Sequence, residues 1–195
     1  MAPNRYTATI DACVLAGALT RNMMLSLAEA GLFRPRWSER ILAETERAIR
    51  SIHAKRGIAD AEAIAARHCD AMRRAFPEAI TEGYQMLIAA CDLPDDDDRH
   101  VLAAAIQARA SVIVTDNIKH FPERSIGPFN LIASTADAFL ADIVDLDTPA
   151  AVAALRRMRT RFNRPQIDAE SLILKMEGAG LGQTASLLIG EVRSL

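Results

Sequence analysis

The stretch from Leu93 to Pro122 most constrains the fold, because it joins an acidic segment, a helix signal and a strand signal. Four carboxylates, Asp95–Asp98, precede an apolar helical run and suit a helix start, where the dipole is positive. The β-branched run Ser111–Thr115 then predicts a buried parallel strand. Asp116 and Asn117 follow that strand, at the sheet edge where open α/β folds bind ligands. The stretch therefore predicts polar groups gathered at one edge of a parallel sheet.

The same alternation of strands and helices extends over the first three quarters of the chain. Tyr6–Ile10 predicts a first strand, and Phe129–Ala133 predicts a last one. Phe33–Trp37 contains a proline and is at best an edge strand. Ser38 is expected to cap a long helix over residues 39–55. We therefore predict an α/β protein, a three-layer α/β/α domain with a parallel sheet.

The last quarter of the chain has only helix signals. No strand pattern occurs after residue 145. Thr148 as a cap and Pro149 at the first helical position are expected to begin a new helix. These signals predict two domains: residues 1–147 form the α/β domain, and residues 148–195 form a small helical extension at its C-terminal side.

The charge of the chain restricts how it can bind nucleic acid. The net charge is −2 and the isoelectric point about 6.1, so any contact with nucleic acid must use local basic patches. The predicted extension contains such a patch, formed by Arg156, Arg157, Arg159, Arg161 and Arg164, before a helix-breaking Pro165. A run of this kind is most often a solvated face, but it suits RNA phosphates or an acidic segment of a protein partner equally well.

Cysteine spacing and hydropathy indicate the compartment. Cys13, Cys69 and Cys91 lie far apart and have no metal-site spacing, which favours buried free thiols in a reduced, cytoplasmic protein. No uninterrupted apolar run approaches the length of about 18 residues that a membrane span requires. The apolar stretch near the N-terminus is interrupted by Asp11, unlike a signal peptide.

Three carboxylates are expected at one edge of the predicted sheet. Asp11 directly follows the first strand, Glu44 lies near the apolar stripe of the helix over 39–55, and Asp98 begins the helix before the Ser111–Thr115 strand. Clustered like charges repel strongly unless a cation offsets them. Oxygen ligands suit Mg²⁺ or Mn²⁺ rather than zinc. The pattern indicates metal-assisted hydrolysis of a phosphodiester.

Each acid also has a plainer interpretation. Asp11 suits a turn cap, Glu44 suits a solvated helix face, and Asp98 suits a helix cap. Asp97 is the rival of Asp98 as a ligand, because one residue of register separates them. His100 is interpreted as a packed or exposed side chain, since a metal-activated water needs no histidine.

Several segments together resemble the PIN-domain ribonuclease family over roughly Tyr6 to Val144. They are TIDACVL, ILAET, and DDDDRHVLAAAI followed by VIVTDNIKHFP. By this resemblance Asp11, Glu44 and Asp98 correspond to the metal-binding and catalytic acids. The resemblance implies a PIN-like fold and a ribonuclease that depends on Mg²⁺ or Mn²⁺.

The fourth position of the family's site differs in this chain. The resemblance places Asn117 where many members have aspartate, with Asp116 one residue earlier. Asn117 can ligate a metal or hydrogen-bond a metal-bound water but adds no charge, and Asp116 takes the role if the loop shifts. Thr115 is expected to orient a ligand or water. Asn117, Asp116 and Thr115 therefore join the predicted catalytic residues, and Asn117 joins the predicted metal ligands.

The C-terminal segments AALRRMRTRF and GLGQTASLL resemble the extension of VapC-like toxins from type II toxin–antitoxin pairs. This resemblance implies cleavage of RNA, often structured tRNA or rRNA, and neutralisation by a cognate antitoxin protein. A homodimer remains an open arrangement.

Two other functions remain open. The first is a non-hydrolytic PIN module that binds RNA or a protein partner, an alternative motivated by Asn117. The second is a phosphatase with an aspartyl nucleophile. Asp11 after a strand suits that chemistry, but Cys13 stands where the second aspartate is usual.

Overall fold

The structure is a computed structural model that describes residues 6–162 and 166–195. Arg164 and Pro165, which the sequence predicts to end the basic run and its helix, lie outside the described residues. The described strands are β1 (Thr7–Ile10), β2 (Arg34–Arg36), β3 (Val112–Val114) and β4 (Ile132–Ser134). The described helices are α1 (Ala12–Ala16), α2 (Ala18–Glu29), α3 (Glu39–Lys55), α4 (Ala61–Ala75), α5 (Arg99–Gln107), α6 (Glu123–Ile126), α7 (Ala136–Leu146), α8 (Thr148–Thr160), α9 (Ala169–Gly178) and α10 (Gly182–Leu188).

The strands form one sheet in the order β2-β1-β3-β4, in which β3 is parallel to both β1 and β4. The predicted α/β/α fold is confirmed: a four-stranded parallel sheet is flanked by helices, and the C-terminal part is helical. Ile10 pairs with Val114, and the N–H of Asp11 donates to the Val114 carbonyl at 2.9 Å. Asp11 and Thr115 therefore follow the ends of neighbouring strands side by side.

Local signals in the sequence predict most elements. Helix α3 has the predicted bounds, and the Ser38 hydroxyl caps it by accepting from the N–H of Ile41 at 3.2 Å. Strand β2 lies at the sheet edge, as its proline predicts.

The last strand begins later than predicted. A 3₁₀ turn over Gly127–Phe129 and a left-handed Asn130, at φ 56°, occupy the start of the predicted run.

One compact unit comprises Tyr6–Gly17 and Pro35–Ser134. It contains β1, β3 and β4, with α5 packed against β1 and β3 and with α3 packed against α1 and α4. Its core is mainly aliphatic, as the fully buried Ile10, Leu42 and Ile113 illustrate, and it also contains the buried rings of Trp37 and Phe121. The aliphatic packing of this unit positions the ends of β1 and β3.

A second compact unit comprises Ala18–Arg34 and Thr135–Leu195 in the described chain. Here α8 packs against α2, and α10 packs against α7. Leu155 and Leu188 are fully buried in this unit. The helices after residue 147 thus share a core with earlier helices, and the predicted domain boundary between residues 147 and 148 stays a prediction. In the described ranges, no helix is both long enough and apolar enough to cross a membrane.

The start of α8 differs from its prediction. Asp147, not Thr148, is the cap, because its carboxylate accepts from the N–H of Ala150 at 3.1 Å. Thr148 lies in the first turn and donates instead to the Val144 carbonyl at 3.0 Å. Asp147 and Thr148 are adjacent, and both residue types have a high preference for the N-cap position. In the structure the Asp147 carboxylate makes the capping hydrogen bond.

A chain that ends at Asp147 is expected to unfold at a lower temperature than the full chain. The truncation exposes the apolar faces of α2 and α7 that contact α8 and α10. Thermal unfolding followed by circular dichroism measures the difference. An unchanged midpoint would show that the helices after residue 147 contribute no stability to the rest of the chain.

Candidate metal centre

Asp11 is the most buried carboxylate of the predicted set, with 5% of its surface exposed. It caps α1, and its Oδ1 accepts from the N–H of Ala12 at 2.6 Å. Its Oδ2 accepts from the Thr115 hydroxyl at 2.7 Å and from the Cys13 thiol at 3.2 Å. These neutral donors satisfy the carboxylate and fix its orientation without neutralising its charge.

Thr115 is fully buried beside Asp11 because of the register between β1 and β3. Its hydroxyl donates to Asp11 and accepts from the N–H of Asn117 at 3.1 Å. This one side chain therefore orients a buried acid and holds the start of the loop after β3. The sequence predicts that Thr115 orients a ligand or a water. In the structure the Thr115 hydroxyl donates to a carboxylate, that of Asp11.

Cys13 completes the hydrogen bonds around Asp11. Burial, together with the negative charge of Asp11, raises the pKa of the Cys13 thiol to about 12. The thiol therefore stays protonated at neutral pH and is able to donate to the carboxylate. None of Cys13, Cys69 and Cys91 forms a disulfide in the described chain; Cys69 and Cys91 are buried as predicted, whereas Cys13 is only partly buried.

Asp98 stands at the start of α5, but its side chain makes no capping hydrogen bond. Its Oδ2 lies 2.6 Å from Nδ1 of His120, and an oxygen of Asp95 lies 3.6 Å from the same nitrogen. Burial raises the pKa of Asp98, and the charges of Asp11 and Asp95 act in the same direction. The contact with His120 opposes them without cancelling them. Asp98 is thus a half-buried acid in the field of two other acids.

The remaining aspartates of the acidic segment have plainer environments. Asp95 caps the 3₁₀ turn by accepting from the N–H of Asp97 at 3.0 Å. Asp96 is exposed and pairs with Arg99 at 2.8 Å. Asp97, the sequence rival of Asp98, is exposed. The geometry favours Asp98 over Asp97 as the ligand.

Within the described ranges, three candidate ligand atoms of His, Cys, Asp or Glu lie within 4.8 Å of one another at Asp95, Asp98 and His120. This group shares Asp98 with the predicted set but does not include Asp11 or Glu44. His120 is thus a neighbour of the candidate centre that was not among the predicted site residues. A signal was present, since a histidine close to the end of that strand falls at the same sheet edge.

Glu44 projects from α3 into a different environment. Its Oε2 accepts from Nε2 of His100 at 3.1 Å, and its Oε1 accepts from Nε of Arg40 at 3.2 Å. Burial alone would raise the pKa of Glu44, but the contacts with His100 and Arg40 outweigh burial and lower it. The carboxylate that the sequence assigned to the metal is therefore already paired with basic side chains.

His100 is the partner of Glu44 that the sequence did not reveal. Its side chain is 1% exposed, as the interpretation of a packed residue predicts, and its Nδ1 has no hydrogen-bond partner among the described residues. Nε2 of His100 carries the hydrogen that it donates to the Glu44 carboxylate. The contact joins α5 to α3, so no local sequence pattern reports it.

Asn117 and Asp116 are both exposed at the end of β3. The backbone N–H of Asn117 donates to Thr115, and the backbone N–H of Asp116 donates to the Cys13 sulfur at 3.5 Å. The backbone of this loop is therefore held against the residues that surround Asp11. Which of the two side chains fills the fourth position stays a prediction.

The donor chemistry at this edge fits Mg²⁺ or Mn²⁺. Asp11 and Asp98 supply carboxylate oxygens, the ligands that these hard ions prefer. Burial is the main cause of the raised pKa of Asp98, and the negative charges of Asp11 and Asp95 add to it. A divalent cation would offset these charges.

Comparisons with known proteins indicate the family of this chain. The family model described as PIN domain matches residues 7–119, and the one described as VapC50 C-terminal domain matches residues 136–189. A curated protein of Mycobacterium tuberculosis (strain ATCC 25618 / H37Rv), named "Putative ribonuclease VapC50", is 42% identical over 95 residues. The match covers 49% of this chain and 56% of that protein, about half of its length. No solved structure gives a significant match.

Replacing Thr115 by valine is expected to lower the free energy of unfolding by about 1–3 kcal/mol. The substitution keeps the shape of the side chain but removes the shorter of the two hydrogen bonds that the buried Asp11 Oδ2 accepts. Thr115→Ser is the matched control, because it retains the hydroxyl and costs about 1 kcal/mol for one methyl group. Urea unfolding measures both variants. Equal losses would show that the hydroxyl does not stabilise Asp11.

Proposed function

Because the chain belongs to the PIN-domain family, we propose that it is a metal-dependent endoribonuclease that hydrolyses RNA phosphodiesters as the toxin of a toxin–antitoxin pair. The observation that supports this most directly is the pair of acids at the sheet edge. Asp11 is buried and held by neutral donors, and its charge contributes to the raised pKa of Asp98. Two such acids form a favourable place for a cation.

In this proposal Asp11 and Asp98 hold Mg²⁺ or Mn²⁺, with Glu44 and Asn117 as further ligands. An ion held by these residues would supply a water nucleophile at neutral pH and would neutralise the charge that develops on the phosphate. Thr115 fixes the Asp11 carboxylate. His120 orients the carboxylate of Asp98 through a 2.6 Å contact.

Arg40 is a partly exposed basic side chain of this unit that lies beside the acidic segment. It contacts Glu44 and reaches the Asp97 carbonyl at 3.5 Å, so it joins α3 to the acidic segment. Its side chain is 44% exposed. A guanidinium in this position suits the RNA backbone.

The toxin role is supported by the two family matches and by the name of the curated relative. A toxin of this kind implies a cognate antitoxin as partner and a cytoplasmic RNA as substrate. The free cysteines are consistent with a reduced compartment.

A second candidate function is a non-hydrolytic PIN module that binds RNA or a protein. Two observations favour it: Asn117 adds no charge at the fourth position, and the Glu44 carboxylate is paired with Arg40 and His100. Both reduce the negative charge available to a metal. This alternative predicts metal binding without RNA cleavage.

Asp98→Asn is expected to reduce metal-dependent RNA cleavage by about a hundredfold or more, because catalysis by the ion contributes several kcal/mol. Asp97→Asn is the matched control and should retain activity, since Asp97 is exposed. Mn²⁺ titration calorimetry should show weaker binding for Asp98→Asn only. Loss of activity in Asp97→Asn with a fully active Asp98→Asn would move the ligand by one residue. Full activity in both variants would place the chemistry elsewhere.

Asn117→Asp is expected to tighten Mn²⁺ binding by about tenfold and to lower the unfolding temperature of the metal-free protein. The added carboxylate attracts the ion, but without the ion it repels the acids already present. Asp116→Asn is the comparison variant and should change affinity little. Loss of affinity in Asp116→Asn, with no gain in Asn117→Asp, would assign the fourth position to Asp116.

A further inference from the structure

The basic run of the C-terminal part divides into residues with different roles. Arg159 donates to the carbonyl oxygens of Leu195 and Ile167, at 3.0 and 2.7 Å. Arg161 pairs with Glu29 at 3.1 Å. Both arginines therefore hold together parts of their own compact unit, and their presence in the sequence needs no external partner.

Arg156 and Arg157 differ from the other two. Both are exposed on α8, and in the described part of the chain neither guanidinium has a hydrogen bond or an ion pair. Two adjacent arginines without an internal partner leave a local positive field on a protein whose net charge is −2.

These two arginines line a groove of about 540 Å³, here called the α8 groove. One face of α8 lines it, since the lining residues recur at i, i+3 and i+4: Pro149, Val152, Ala153, Arg156 and Arg157. Glu191 lines the groove as well. The α8 groove is thus apolar at one end of the helix face and basic at the other.

We propose that the α8 groove binds an acidic peptide segment of a protein partner. An apolar side chain of the peptide lies against Val152 and Ala153, and its carboxylates pair with Arg156 and Arg157. The inference is independent of the nuclease proposal, because none of these residues belongs to the candidate metal centre.

The residues that line the α8 groove favour a peptide that carries both carboxylates and apolar side chains. Arginine presents a planar fork that binds carboxylates through two parallel hydrogen bonds. Apolar side chains next to charged ones are typical of sites that bind an amphipathic peptide. The spacing along α8 suits a peptide that carries its acidic and apolar side chains in the same order.

RNA fits the α8 groove less well. Of the residues that line it in the described chain, none is aromatic, so a base has no ring on which to stack. Glu191 adds a negative charge that repels phosphates. A peptide avoids this repulsion by placing a neutral group beside Glu191.

The test uses the full chain and three fluorescent probes of similar length. They are a peptide of Leu and Glu, a peptide of Leu and Lys, and an oligouridylate. Fluorescence anisotropy is expected to show binding of the Leu–Glu peptide that weakens with salt. The Leu–Lys peptide is expected not to bind.

Ala153→Glu is the decisive variant. A carboxylate at residue 153 lies three and four residues before Arg156 and Arg157, so it pairs with them within the helix. It should weaken binding of the Leu–Glu peptide by about tenfold without removing either arginine. Ala153→Gln is the matched control of equal size, and Arg161→Gln is the control for general loss of positive charge. Both are expected to bind nearly as the unmodified chain does.

Three results would overturn the inference. The first is absence of binding by the Leu–Glu peptide. The second is an equal loss in Ala153→Gln and Ala153→Glu, which would make the effect steric. The third is binding of oligouridylate, lost in Ala153→Glu, without binding of the peptide, which would make the α8 groove an RNA-contacting surface.

Discussion

The parallel register between β1 and β3 is the constraint on which the candidate centre depends. Because Ile10 pairs with Val114, the next residues along the two strands, Asp11 and Thr115, lie side by side. A buried carboxylate is costly unless hydrogen bonds satisfy it, and the Thr115 hydroxyl supplies one at 2.7 Å. A slip of one residue would turn Thr115 to the opposite face of the sheet and remove this donor.

The partners of the three predicted acids differ in charge, and this difference bears on function. Asp11 has neutral donors, which do not offset a negative charge. Glu44 has Arg40 and His100 as partners and is locally compensated. Asp98 contacts His120, but this contact does not outweigh burial and the neighbouring acids, which raise the pKa of Asp98. Glu44 is therefore better compensated than Asp11 and Asp98. This supports an ion at those two residues, with Glu44 in a secondary position that also holds Arg40.

Sequence predicted those features that local chemistry determines. The bounds of α3 follow from the Ser38 cap and from helical periodicity, and the position of Asp11 follows from the end of a β-rich run. The family resemblance, carried by short motifs around the acids, agrees with the match to the PIN domain over residues 7–119. Each of these signals is contained in a few consecutive residues.

Sequence did not predict the contacts that depend on tertiary packing. The pairing of Glu44 with His100 joins two helices far apart in the chain, and the contact of Asp98 with His120 joins a helix start to a loop after a strand. Helical periodicity predicts which face of a helix is buried, but it does not predict which residue of another element contacts that face. The predicted cap of α8, Thr148, was wrong for a local reason. Asp147 and Thr148 both favour the N-cap position, and only their geometry decides between them.

The most direct test is a crystal structure of the protein grown with Mn²⁺, with anomalous scattering used to locate the ion. The account predicts an anomalous peak at ligand distance from carboxylate oxygens of both Asp11 and Asp98. A peak held by Asp95, Asp98 and His120, away from Asp11, would contradict it, and so would the absence of bound Mn²⁺ at this edge of the sheet.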